Sequence, residues 1–149
     1  MNYKKLFICV LIPVLFGSII GLFVNTDSYD IIIKPVLSPP DWLFSIIWTV
    51  LYVLMGISSY FIYRDDGFDS EAFGVYKLQL FVNLMWPIIF FLFKFYLVSF
   101  VWILILDLLV IYMIIKFYKV NKIASYLQIP YFLWILFASY LSFGVYLLN

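Results

Sequence analysis

Hydrophobic residues in this chain do not alternate with polar ones; they run in long blocks between short polar breaks. Five blocks stand out, at about Lys5–Val24, Trp42–Tyr63, Ala72–Phe95, Val98–Tyr118 and Tyr126–Leu148. Each holds roughly 20 residues, enough at about 1.5 Å rise per residue to cross a hydrocarbon core about 30 Å thick. A membrane barrel would instead need segments of about 10 residues that alternate in polarity. The pattern therefore predicts an all-α membrane protein, a five-transmembrane-helix bundle, with one domain over residues 1–149. The breaks are short ("RDDGFDSE", "KVNK") except for Asn25–Asp41, which carries Asp27, Asp30, Lys34 and three prolines. Long connections in compact domains are often functional. The apolar run Leu6–Val24 is long for a leader and has no small-residue cleavage pattern after it, so it reads as a retained first span.

Charge sets an expected orientation. With five spans, Lys4, Lys5, Arg64, Lys77, Lys116, Lys119 and Lys122 fall on one side, and Lys34 and Lys94 on the other. The excess of cations places the N-terminus inside and the C-terminus outside. Composition then narrows the chemistry. The chain is 67% hydrophobic and only 11% charged, against about 25% charged in soluble domains. A net charge of +1 gives no basic field for nucleic acid. A single cysteine, Cys9, rules out an internal disulfide and a multi-cysteine metal site. The absence of histidine removes the usual general base, zinc ligand and haem ligand together. Neither a metal nor a cofactor is expected.

Several residues within the spans could carry binding. Pro39-Pro40 cannot lie inside a helix, so the pair ends the long loop and starts span two near Asp41, at the positive end of the helix dipole. Trp42 then sits at interface depth, as a membrane anchor does. Trp48, Tyr52 and Gly56 share one face of span two, which suits either core packing or a ligand wall. In span five, Trp134, Ala138, Leu141, Ser142 and Val145 share a face; the small residues leave room for a close helix or for a cavity. In span three, Asn83 and Trp86 lie one turn apart, and Pro87 frees a backbone carbonyl. Asn83 is expected to face the bundle. Asp107 is the one ionisable residue near the middle of a span, and a structural polar contact is the expected reading. Gly17 and Gly21 form a G-x-x-x-G pattern read as packing within the monomer.

Together these motifs resemble the TspO family, which comprises the bacterial tryptophan-rich sensory proteins and the mitochondrial translocator protein, or peripheral benzodiazepine receptor. "KPVLSPPDWLFSIIWTVLYVLMGISSY" resembles its second-helix signature, "VNLMWPIIFF" its third-helix pattern, and "IPYFLWILFASYLSF" its fifth. Asp107 in "LDLLV" stands where many members have an acidic residue. The resemblance implies a five-helix bundle, usually a homodimer, with a pocket beneath the first loop. Members bind tetrapyrroles such as protoporphyrin IX, isoquinoline carboxamide and benzodiazepine drugs, and, in animals, cholesterol. Some bacterial members are credited with light- and oxygen-dependent breakdown of protoporphyrin. Carried over by motif, the ligand site is Tyr29, Pro39, Trp48, Tyr52, Asn83, Trp86, Trp134, Ala138, Leu141 and Ser142, with Trp48 and Trp134 as the photochemical residues. Leu37 replaces the usual tryptophan before the proline pair, and Ser142 the usual fifth-helix asparagine. Tyr146 is followed by "LLN", with no Lys or Arg, so the animal sterol motif is unsupported.

Three functions follow as expectations. The first is a tetrapyrrole-binding membrane protein with a sensory or regulatory role. The second is a photo-oxidative porphyrin-degrading enzyme; no constellation for conventional acid–base or nucleophilic catalysis is present. The third is a transporter of porphyrins or other lipophiles, although no repeat or line of ionisable groups supplies alternating access. The expected partners are a flat lipophilic ligand, membrane lipid and a second copy of the chain. The expected location is a bacterial cytoplasmic membrane.

Overall fold

A computed structural model describes residues 1–24 and 29–149; Asp27 lies outside the described residues. Helices α1 (Tyr3–Phe23), α2 (Asp41–Asp66), α3 (Glu71–Pro87), α4 (Tyr96–Val120), α5 (Lys122–Tyr126) and α6 (Ile129–Leu148) follow in order. Five stretches are long and apolar enough to span a membrane, with α5 and α6 together forming the fifth. The protein is thus a five-span helical membrane protein.

The helix ends follow local chemistry. Asn2 caps α1 by accepting from the Lys5 N–H at 3.2 Å. Pro40, extended at φ −65° and ψ 151°, leads directly into α2 at Asp41, where the proline pair placed the start. Gly67, at φ +90°, lets the chain leave α2, and Ser70 caps α3 through the Phe73 N–H at 3.2 Å.

Two spans differ from the blocks read in the sequence. The third does not remain α-helical to Phe95. Pro87 has no N–H for the Asn83 carbonyl, and residues Ile88–Leu92 open into a π-turn closed by Phe93 N–H to Ile88 C=O at 3.0 Å. Trp102 of α4 braces this region by donating Nε1–H to the Val82 carbonyl at 2.8 Å. The fifth begins at Lys122 rather than Tyr126 and breaks at Leu127–Gln128, because Pro130 has no N–H for the Tyr126 carbonyl.

The core shows helical spacing. α4 buries Ile103, Leu106, Val110, Met113 and Phe117 against α2, α3 and α6. Of α1, only Pro13 is fully buried, although the helix packs along α2 and borders the cavity described next. It meets α2 where Gly56 lies against the backbone of Cys9 and Val10, and where Gly17 lies against the Tyr52 ring. Gly21 touches nothing nearby. The G-x-x-x-G pattern is therefore split: Gly17 packs within the monomer, and Gly21 opens onto the cavity described next.

Candidate functional site

A cavity of about 580 Å³ lies between α1, α2, α3, α4 and α6, beneath the loop that joins α1 to α2. Eight aromatic residues contribute to its walls. Trp48 stacks on Tyr52, with centroids 5.6 Å apart and planes 30° apart. On α3 and the π-turn after it, Trp86 stacks on Phe90 at 5.0 Å and 22°, and Phe91 stands edge-on to both. Ala138, Leu141 and Ser142 form a low wall on α6. The proline-induced π-turn has a direct consequence here, because it carries Phe90 and Phe91, and both reach the cavity.

Eight of the ten expected ligand residues line this space: Tyr29, Trp48, Tyr52, Asn83, Trp86, Ala138, Leu141 and Ser142. Pro39 and Trp134 do not. Pro39 lies in the stretch that aims the loop into α2. Trp134 shares a helical face with Ala138, but Phe44 packs against its ring at 5.7 Å and is itself part of the wall. Trp134 therefore supports the wall from behind.

The floor is polar. Tyr52 Oη donates to Asn83 Oδ1 at 2.8 Å, and Asn83 Nδ2 donates to Tyr131 Oη at 2.8 Å. Tyr131 Oη donates to Gln79 Oε1 at 2.8 Å. Asn83 thus makes the interhelical bonds its position suggested and also borders the cavity. Gln79 and Tyr131 escaped the sequence reading. Gln79, one turn below Asn83 on α3, was the available signal; Tyr131 at the start of a span reads as an ordinary interface ring. Among the described residues, the buried Trp86 Nε1 has no hydrogen-bond partner.

The rim carries charge. Lys34 Nζ lies 4.2 Å above the Tyr29 ring, 3.8 Å from Asp30 and 3.9 Å from Asp41. Burial raises the Tyr29 phenol above its ordinary range; Ser38 opposes the shift and the Asp41 charge adds to it, so the ring stays neutral. Asp107 lies off the cavity wall, where Ser139 Oγ donates to its Oδ2 at 2.7 Å. This is the structural contact expected for it. No cluster of metal-ligating side chains occurs among the described residues. The site can stack and enclose a flat apolar molecule, but it holds no nucleophile–base pair.

Comparison with known proteins agrees with this architecture. Residues 9–148 match the TspO/MBR family. The Tryptophan-rich protein TspO of Archaeoglobus fulgidus is 41% identical, over 100% of this chain and 99% of its own. The Tryptophan-rich protein TspO of Chlorobaculum tepidum is 36% identical, over 81% of this chain and 78% of its own. The human Translocator protein is 33% identical, over 75% of this chain and 69% of its own. With the match running through all five spans, the chain belongs to the TspO/MBR family.

Proposed function

We propose that this protein binds a flat, conjugated, largely apolar ligand of the tetrapyrrole type in the cavity, in a sensory or regulatory role. The supporting observation is the pair of stacks, Trp48–Tyr52 and Trp86–Phe90, around a space of about 580 Å³. That volume lies within the range of about 300–1,000 Å³ usual for small-molecule sites. Ring faces hold a conjugated plane by offset stacking, and the small Ala138 and Ser142 leave clearance at its edge. The absence of histidine favours a metal-free macrocycle over an axially ligated haem.

The protein is an integral membrane protein, for which we infer an inside N-terminus, an outside C-terminus, a bacterial cytoplasmic membrane and a homodimer. The seven-to-two split of Lys and Arg supports the orientation. A photochemical reading is second. It gains support from Trp48 on the wall but less from Trp134, which Phe44 screens.

The test is a titration of the detergent-purified protein with protoporphyrin IX in the dark, read by tryptophan fluorescence. Saturable one-site quenching is expected, weakened by Trp48→Phe and little changed by Trp134→Phe. Quenching that never saturates, or is indifferent to Trp48→Phe, rejects the cavity as the site. Illumination in air afterwards tests the second reading, through loss of porphyrin absorbance in wild type and its slowing in Trp48→Phe.

A further inference from the structure

The hydrogen bonds of the cavity floor all run in one direction: Tyr52 donates to Asn83, Asn83 to Tyr131 and Tyr131 to Gln79, each at 2.8 Å. Tyr52 and Asn83 line the cavity, whereas Tyr131 and Gln79 are fully buried behind them. In this sense the single Tyr52 proton is committed to Asn83. The Tyr52 oxygen and the second lone pair of Asn83 Oδ1 can then only accept from a ligand.

Every member of this chain can also serve in the opposite sense. A carboxamide carries a donor and an acceptor of nearly equal size, and a phenol can rotate its proton. Turning both amides over exchanges oxygen for nitrogen with the other heavy atoms in place. Gln79 Nε2 then donates to Tyr131, Tyr131 to Asn83 Oδ1 and Asn83 Nδ2 to Tyr52. As many bonds are made as are lost. Gln79 Nε2 has no partner among the described residues, so no further bond holds that amide in its present sense. What changes is the Tyr52 proton, which leaves Asn83 and becomes available to a ligand.

We propose that this chain is reversible, and that Gln79, acting through Tyr131, sets whether the cavity floor accepts a hydrogen bond from a ligand or donates one. Bonds in such a chain polarise one another, which keeps the four groups in one sense at a time. Because both senses make equal numbers of bonds within the protein, the polar group of the ligand decides between them. Gln79 and Tyr131 are positioning residues, since they act on the ligand only through Asn83 and Tyr52. This role rests on the cavity being the ligand site, and it extends the ligand class to flat molecules with either an N–H or a bare acceptor at their edge.

Three flat tricycles of similar size test it: carbazole carries an N–H, neutral acridine a bare ring nitrogen, and anthracene neither. Titrations of the full chain in detergent, read by tryptophan quenching, compare wild type with Gln79→Leu. Leucine cannot accept from Tyr131, so Tyr131 turns its proton to Asn83 and the donating sense is fixed. The ratio of acridine to carbazole affinity should rise about 5-fold or more, the worth of about one hydrogen bond, with anthracene little changed. The shift should vanish in a Tyr131→Phe background, which cuts Gln79 off from Asn83. The wild type gives a second readout through ¹⁵N-glutamine: the Gln79 amide protons should move downfield on saturation with acridine and stay in place with carbazole. A ratio unmoved by Gln79→Leu while the probes still bind, a shift that survives Tyr131→Phe, or an amide signal indifferent to the probe would overturn the reversal alone. Failure of all three probes to saturate would overturn the cavity as the ligand site with it.

Discussion

Asn149 and Ile33 are joined by two hydrogen bonds: Asn149 Oδ1 accepts from the Ile33 N–H at 3.0 Å, and Nδ2 donates to the Ile33 carbonyl at 2.8 Å. The amide thus pairs with both backbone groups of one loop residue, as a neighbouring strand would. Tyr140 adds a bond to the Val36 carbonyl at 2.7 Å, and Pro35 packs against Gly144 with no room for a Cβ. Tyr140 and Gly144 of α6, with Asn149 just after it, therefore hold residues 33–36 of the loop, which roofs the cavity through Tyr29. Asn149→Ala should weaken the roof by about 0.5–1.5 kcal/mol, since these bonds are exposed and worth little each. Dissociation of bound porphyrin should then accelerate roughly 2- to 10-fold, with little change in unfolding temperature. Stopped-flow displacement measures this, and an unchanged off-rate would show that the ligand leaves without moving the roof.

Glycine substitutions should separate packing from cavity space. A Cβ at Gly56 meets the backbone of Cys9 and Val10, which cannot step aside without moving α1. Gly56→Ala should cost about 1–3 kcal/mol, the usual range for overpacking. A Cβ at Gly17 meets the Tyr52 ring, so Gly17→Ala should tilt that ring off Trp48 and weaken ligand binding more than stability. Gly21→Ala meets nothing and should be neutral in thermal melts. Equal melting losses at positions 17, 21 and 56 would contradict this division.

Asp107 is 6% exposed and rests on one partner. Ser139 Oγ lies 2.7 Å from Asp107 Oδ2 and 2.8 Å from the Ile135 carbonyl, and a hydroxyl has one proton to give. Asparagine at position 107 supplies an N–H of its own, so Asp107→Asn should leave stability within about 0.5 kcal/mol of wild type. Ser139→Ala removes the partner and strands the carboxyl, at a cost of about 1–3 kcal/mol. Thermal unfolding of both variants checks the order. A more stable Ser139→Ala would mean that the contact contributes nothing.

Much of this architecture was legible in the sequence because lipid imposes long apolar runs, and proline leaves few choices of backbone. The start of α2 at Asp41 follows from Pro39-Pro40 in this way. The π-turn did not follow, although Pro87 marked its place. A freed carbonyl has several resolutions, and the proline alone does not choose among them. Trp134 was misplaced for a related reason. Helical spacing fixes a face but not which neighbouring ring fills the space before it, and here that ring is Phe44. The floor was half visible. Asn83 was marked as polar and inward-facing, whereas its link to Gln79 runs through a tyrosine 48 residues away in sequence.

Charge at the rim should discriminate between ligands that differ only in their carboxylates. Among the described residues that meet there, Lys34 contributes one positive charge, and Asp30 and Asp41 two negative ones, leaving a net −1. A dicarboxylate such as protoporphyrin IX therefore gains from Lys34 and loses to the acids, while its dimethyl ester is nearly indifferent to all three. Lys34→Ala makes the rim more negative and should weaken protoporphyrin binding roughly 2- to 5-fold relative to the ester, a size set by a half-exposed ion pair in water. Asp41→Asn should shift the ratio the other way. The lysine also covers the Tyr29 ring at 4.2 Å, so its loss removes packing as well as charge. Comparing the two ligands cancels that common packing effect. Raising the salt from low to about 0.5 M should shrink the difference between them, as screening reaches exposed charges first. A ratio unmoved by either substitution would place the ligand's carboxylates away from this rim.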